Sequence, residues 1–205
     1  MDLRTLLLSG FPYAPPRSYE LPAVVRFAFD GGIKDEIVFP INTNESFYSA
    51  KIADTVYFVS RAAENGKRFD YAIDTSTGLV TRISGDAADS EFNFGVIEGS
   101  ATSERHASSN DLDGNKVKWT FGPGEQNSLT AEYSGGSGTL TYHDGTSKTP
   151  QAFAVARIAQ GVYFYYEAFG EHRVTMLCDF GKDLAVGSVL GAGGVAFLGG
   201  WGKIL

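Results

Sequence analysis

Glu167 follows two tyrosines at alternate positions, Tyr163 and Tyr165. Successive side chains of a strand point to opposite faces, so these three share one face. Two phenols and one carboxyl on a common face suit general acid–base work. A carboxyl buried beside aromatics has a raised pKa, which lets it donate or accept a proton near neutrality. Glu167 is therefore read as acid or base, with Tyr163 and Tyr165 orienting substrate oxygens. The plainer alternative is a rim or surface Glu167 beside tyrosines that merely pack, since charged groups are seldom buried unpaired. Arg61 shares a face with Tyr57 and Val59 in a related segment. Facing inward, it would bind a carboxylate or enolate oxygen; facing outward, it is an ordinary strand-end charge. Trp119 fits a ligand wall as readily as a core. His143, just before Asp144-Gly145, would serve as a general base near pH 7 or sit exposed beside its turn.

Other titratable residues form no familiar constellation. His106, His143 and His172 show no paired spacing and Cys178 stands alone, so neither a zinc site nor an intrachain disulfide is expected. Ser109-x-Asp111-x-Asp113-Gly114 opens like an EF-hand loop, but its twelfth position is Thr120 rather than Glu. Gly191–Gly194 and Gly199-Gly200 lack the strand–turn–helix setting of a phosphate loop and read as bulges or tight corners. Asp74 and Asp179 end strands before turns, where they are expected to accept hydrogen bonds from turn amides. No cofactor is implied.

Composition bounds the partners. Aromatics at 13% and charged residues at 20% favour a packed core over disorder. A net charge of −7 leaves no electrostatic footprint for nucleic acid. One cysteine fits a reducing compartment. Leu6-Leu7-Leu8, followed by Pro12, Pro15 and Pro16, is too short an apolar run for a signal peptide or membrane span. The expectation is a soluble, cytoplasmic protein without membrane partners, compatible with a homodimer.

The elements that must position these residues are strands. Residues 1–21 read as an extended arm, because clustered prolines bar a helix. From Pro22 the apolar alternation gives strands at Val24–Phe29, Glu36–Ile41, Phe47–Ile52, Val56–Ala62, Arg68–Ile73, Leu79–Ile83 and Glu91–Ile97, with Glu64-Asn65-Gly66 as a hairpin turn. Residues 99–115 are poor in large apolar side chains and read as a linker. A second set follows at Lys116–Phe121, Leu129–Tyr133, Thr139–Tyr142, Ala152–Ile158, Val162–Glu167, Arg173–Asp179, Leu184–Leu190 and Val195–Leu198. Many short strands with Gly- and Asp-rich turns point to barrels or sandwiches.

The two sets repeat. Lys51-Ile52-Ala53-Asp54-Thr55-Val56-Tyr57-Phe58 returns as Arg157-Ile158-Ala159-Gln160-Gly161-Val162-Tyr163-Phe164. Val56 lies 18 residues before Asp74, and Val162 lies 17 before Asp179. Val24–Phe29 matches Val117–Phe121, and the second copy carries an insertion around residues 134–148. The organisation expected is an arm (1–21), a first unit (22–103) and a second unit (104–205).

Val56-Tyr57-Phe58-Val59-Ser60, Asn65-Gly66 and Asp74 resemble the strand, hairpin and strand end of the MoaF-like group of the calycin superfamily. Val162-Tyr163-Phe164, Asp179, Val186-Gly187-Ser188 and Asp113-Gly114 before Val117–Phe121 carry the resemblance in the second copy. Phenolic acid decarboxylases show a similar phrase and are a more distant resemblance. Where the family phrase places Trp, this chain has Arg61 and Glu167; where it places Glu, it has Ala63 and Phe169. The decarboxylase acid is therefore not carried over in register. The resemblance implies an all-β, calycin-like antiparallel barrel architecture built from two repeated units, as two barrels or one composite barrel, with a cup suited to one small apolar ligand.

Together these readings suggest a cofactor-independent cyclase, isomerase or lyase of specialised metabolism, acting on a hydrophobic small molecule. The rivals are a non-catalytic carrier of an apolar ligand and a structural module. An open cup holding a Glu with a polar partner would favour the enzyme, an open apolar cup the carrier, and a cup filled by its own side chains the module.

Overall fold

A computed structural model describes residues 16–18, 20–39, 47–62, 67–85, 89–191 and 194–205. The expected Asn65-Gly66 turn, Ala63 and most of the N-terminal arm lie outside these residues. The strands are β1 (Val24–Phe29), β2 (Lys34–Val38), β3 (Phe47–Lys51), β4 (Val56–Ala62), β5 (Arg68–Asp74), β6 (Leu79–Ser84), β7 (Glu91–Ile97), β8 (Ala107–Ser108), β9 (Lys116–Thr120), β10 (Ser128–Ser134), β11 (Ser137–Tyr142), β12 (Ser147–Lys148), β13 (Ala152–Ala159), β14 (Val162–Phe169), β15 (His172–Asp179), β16 (Leu184–Gly191) and β17 (Gly194–Ile204). Single 3-10 turns occur at Asp30–Gly32 and Glu125–Asn127. Among the described residues no helix is long and apolar enough to cross a membrane.

The strands form two curled antiparallel half-barrels. Among the described residues the first sheet runs β2-β1-β7-β6-β5-β4-β3, and the second β12-β11-β10-β9-β17-β16-β15-β14-β13-β8. Without β8, β11 and β12, the second order is β10-β9-β17-β16-β15-β14-β13, which reproduces the first strand for strand. The hairpin of β11 and β12 is the insertion expected around residues 134–148.

Alternation along the strands divides the core into three. Tyr57 and Val59 point into the first cup, with Phe27, Phe29, Tyr71, Ile73 and Val80. Tyr165 points into the second, with Trp119, Tyr133, Val174, Met176 and Leu198. The opposite faces of β4 and β14 present Val56, Phe58, Val162, Phe164 and Tyr166 to a third cluster between the sheets. The units are thus packed back to back, and each keeps its own interior. Asp74 and Asp179 act as turn anchors: Ser76 N–H donates to Asp74 Oδ1 at 2.9 Å, and Gly181 N–H to Asp179 Oδ1 at 2.9 Å. Burial works against the Asp74 carboxylate, but hydrogen bonds from Ser76, Thr77 and Thr55 hold its pKa below the ordinary value.

Glycines let the fold repeat closely. A side chain at Gly95 would strike the Phe29 ring, and one at Gly200 would crowd Phe121, the counterpart of Phe29 in the second unit. Gly199 and Gly200 were expected at a bulge or corner. They instead run inside β17, paired with Val186 and Ala185. Residues 99–115 are not wholly a linker, since Ala107–Ser108 pairs with β13, and His106 and Leu112 are buried.

Candidate functional site

Glu167 lies near the end of β14, between Phe153 of β13 and Val174 of β15. It faces the second cup and is only 4% exposed. Trp119, Phe121, Leu129, Leu140, Tyr165, Val174 and Met176 surround it, and the void they leave measures about 10 Å³. That is about the space of one water. Glu167 Oε1 is buried with no hydrogen-bond partner. Burial alone pushes the carboxyl up to about 8, because the apolar surroundings disfavour its charged form.

The aromatic wall is polar at few points. Tyr165 O–H donates to Met176 Sδ at 3.2 Å, a weak acceptor. Trp119 Nε1–H donates to Tyr133 Oη at 3.3 Å. Tyr133 stacks on Phe153 with ring centroids 5.1 Å apart. The Tyr133 and Tyr165 phenols are held well above their usual pKa, first by burial and then by neighbouring charges that include Glu167. Cys178, also in this core, has its thiol pushed up by burial. Outside the cup, Phe153 borders a cleft of about 130 Å³ lined by Ser109, Leu112, Asp113, Gly136 and Val155.

The first cup has a different interior. Arg61 occupies the register of Glu167, since Val56 and Val162 start equivalent strands whose partners end in Asp74 and Asp179. It pairs with Asp35 Oδ1, and its Nε–H donates to Tyr71 Oη at 3.1 Å. Asp35 Oδ2 accepts from Tyr71 O–H at 2.6 Å and from Arg82 Nη1 at 3.1 Å. Arg82 also donates to Asn93 Oδ1 through Nε and Nη2. Asp35, at the edge strand β2, thereby ties that edge across the mouth to β4, β5 and β6. Register sets Asp35, Arg61, Tyr71, Arg82 and Asn93 against Leu129, Glu167, Met176, Gly187 and Leu198 in the second unit.

The residues singled out from sequence do not all meet. Tyr165, Trp119 and Glu167 line one cup. Tyr163 shares their face but stands at the far end of β14, half-buried, with its O–H donating to Asp111 Oδ2 at 3.2 Å. Tyr57 belongs to the first cup, at the opposite end from Arg61, and donates to Glu20 Oε2 at 3.1 Å. His143 is exposed in the turn between β11 and β12 and reaches neither cup. The polar partner looked for beside Glu167 is absent among the described residues. Tyr133, Phe153, Asp35, Tyr71 and Arg82 were missed. Their signal was the alternation of Leu129, Ala131 and Tyr133 and of Tyr71 with Phe69 and Ile73, but the strand pairing that gathers them spans long stretches of chain. Among the described residues, no group of His, Cys, Asp and Glu could hold a metal ion. No family model matches the sequence, and no curated protein does.

Proposed function

We propose that the protein is a cofactor-independent enzyme of the isomerase, cyclase or lyase type that moves a proton on a hydrophobic small molecule in the second cup. Glu167 is the acid and base. The observation that carries this reading is its buried, unpartnered Oε1. An unpaired carboxyl oxygen in an apolar core destabilises a fold, and among the described residues no hydrogen bond to Oε1 offsets that loss. A barrel filled only for packing would gain from Leu or Gln at this place.

With its pKa raised to about 8, Glu167 is mostly protonated at pH 7. It can give its proton to one carbon of an unsaturated substrate, and the resulting carboxylate can take a proton from another. That sequence shifts a double bond, or closes a ring, with no net gain or loss of protons. Tyr165 O–H can exchange its thioether acceptor for a substrate oxygen, and Tyr133 lies on the same wall. Tyr163, engaged with Asp111, is a rim residue in this scheme. Catalysis rests on orientation and water exclusion in a shaped cup. The resemblance to MoaF-like calycin proteins fits this reading as an analogy of fold.

A void of about 10 Å³ holds no substrate, so in this reading side chains of the cup shift before one enters, and Phe153, which stacks on Tyr133 and borders the neighbouring cleft, is placed to do so. The same small void favours a second reading, a structural barrel filled by its own side chains. The two separate on a panel of apolar β,γ-unsaturated ketones in D2O, with double-bond shift and deuterium uptake read by mass spectrometry. The enzyme reading expects turnover by the native chain and a loss of about 100-fold or more in Glu167→Gln. Unchanged turnover in both Glu167→Gln and Tyr165→Phe refutes the site. Binding without turnover identifies a carrier, and neither binding nor turnover leaves the filled barrel.

A further inference from the structure

We infer that the mouth of the first cup is a binding site for a carboxylate with an apolar, aromatic-sized tail, and that Arg61 is its recognition group. Among the described residues, two guanidiniums, Arg61 and Arg82, face one carboxylate there, Asp35. Both Asp35 oxygens are occupied, by Arg61 on one side and by Tyr71 and Arg82 on the other. Arg82 is committed through Nε, Nη1 and Nη2 to Asn93 and Asp35. Arg61 is committed through Nε and Nη2 only, and its Nη1 has no partner among the described residues. Its side chain is 18% exposed, against 9% for Arg82, so of the two guanidinium side chains it is the more open to solvent. Among the described residues, Glu91 is a further acid near Asn93; it is exposed and accepts from Asn93 Nδ2 at 3.3 Å.

The wall beside this fork is aromatic. The Arg61 guanidinium lies 5.6 Å from the Phe69 ring centre, and that of Arg82 lies 4.8 Å from Phe69 and 4.6 Å from Phe29. A planar guanidinium with a free edge matches a carboxylate, and the half-buried Phe69 offers a face for the attached tail. The cluster braces the β2 edge, but bracing that edge does not require charged side chains. The second unit builds the same sheet order with Leu129, Met176, Gly187 and Leu198 in place of Asp35, Tyr71, Arg82 and Asn93. One cation would also suffice to neutralise Asp35, and among the described residues two face it.

The probe is 4-phenylbutyrate, with its neutral amide as control, titrated calorimetrically into the full chain at low salt. The native chain should bind the carboxylate about tenfold or more tightly than the amide, the range of a charge-assisted hydrogen-bond pair. Arg61→Gln should remove that preference and leave amide binding unchanged. Asp35→Asn frees the fork and adds a net positive charge, so it should bind the carboxylate several-fold more tightly. Glu167→Gln should bind it like the native chain, which keeps the outcome separate from the chemistry of the second cup. Equal binding of carboxylate and amide, or no carboxylate binding by both the native chain and Asp35→Asn, overturns the site. Should Arg61→Gln fail to fold by circular dichroism, Asp35→Asn decides alone, and no gain in affinity overturns it.

Discussion

Glu167 and His106 are buried groups whose pKa values burial moves in opposite directions. His106 is 5% exposed; its Nδ1 lies 2.8 Å from Thr81 Oγ1, and Nε2 has no partner. Burial lowers its pKa from 6.5 to about 4. The unfolded chain therefore takes up a proton below pH 6.5 that the folded chain refuses. Stability contributed by neutral His106 falls as pH drops from about 6.5 to about 4, by on the order of 3 kcal/mol. Glu167 has its pKa raised from 4.5 to about 8, so the folded chain keeps a proton that the unfolded chain releases. Its contribution is full below pH 4.5 and is lost as pH rises toward about 8. Between pH 4.5 and 6.5 the two slopes oppose, and above 6.5 Glu167 acts alone. We expect urea denaturation to show the native chain losing about 2 kcal/mol relative to Glu167→Gln between pH 6.5 and 8. We further expect Glu167→Gln to melt about 8–16 °C above the native chain at pH 8 and close to it at pH 4.5. A Glu167→Gln variant that is less stable at pH 8 would mean the carboxylate has a partner there.

At the level of elements, strand periodicity made most of the sheet legible. Val24–Phe29, Val56–Ala62 and Glu91–Ile97 were readable to the residue, because apolar alternation there runs between clear turn residues. The same alternation put Glu167 on the face of Tyr165. It could not show that Glu167 would lack a partner, since Leu140 and Trp119, which surround it, come from strands earlier in the chain. β17 was cut short in the sequence reading by Gly199-Gly200, although the strand continues to Ile204. Gly202 explains the cost-free continuation: it pairs with Trp119, and any side chain there would overlap the indole. Gly202→Ala should displace Trp119, destabilise the chain by about 1–3 kcal/mol and shift its tryptophan emission. Unchanged emission with unchanged stability would show that the wall of the second cup is softer than its packing implies.

For the molecule as a whole, the decisive contact is the buried pair Arg173–Asp70 between the two units. Arg173 Nη2 lies 2.9 Å from Asp70 Oδ2, with side chains 0% and 1% exposed. Ser188 O–H adds a hydrogen bond to Asp70 at 3.0 Å, and Arg173 Nη1 donates to the Gly85 carbonyl. Removing one partner strands a charge in the seam. Arg173→Met should cost about 3–5 kcal/mol in chemical denaturation, and the double change Asp70→Leu with Arg173→Met should recover most of it. Failure of the double change to recover would assign Arg173 a packing role instead. Beside that pair, Phe58 and Phe164 hold the same register in the two units and meet with ring centroids 6.4 Å apart. A residue touches its own counterpart only near a two-fold axis. The chain therefore joins in one polypeptide what separate subunits would build by symmetric association. In a true homodimer every substitution appears twice, so both interiors change together. Joined end to end, the halves are released from that rule, and a guanidinium can stand in one interior where its counterpart position holds a carboxyl.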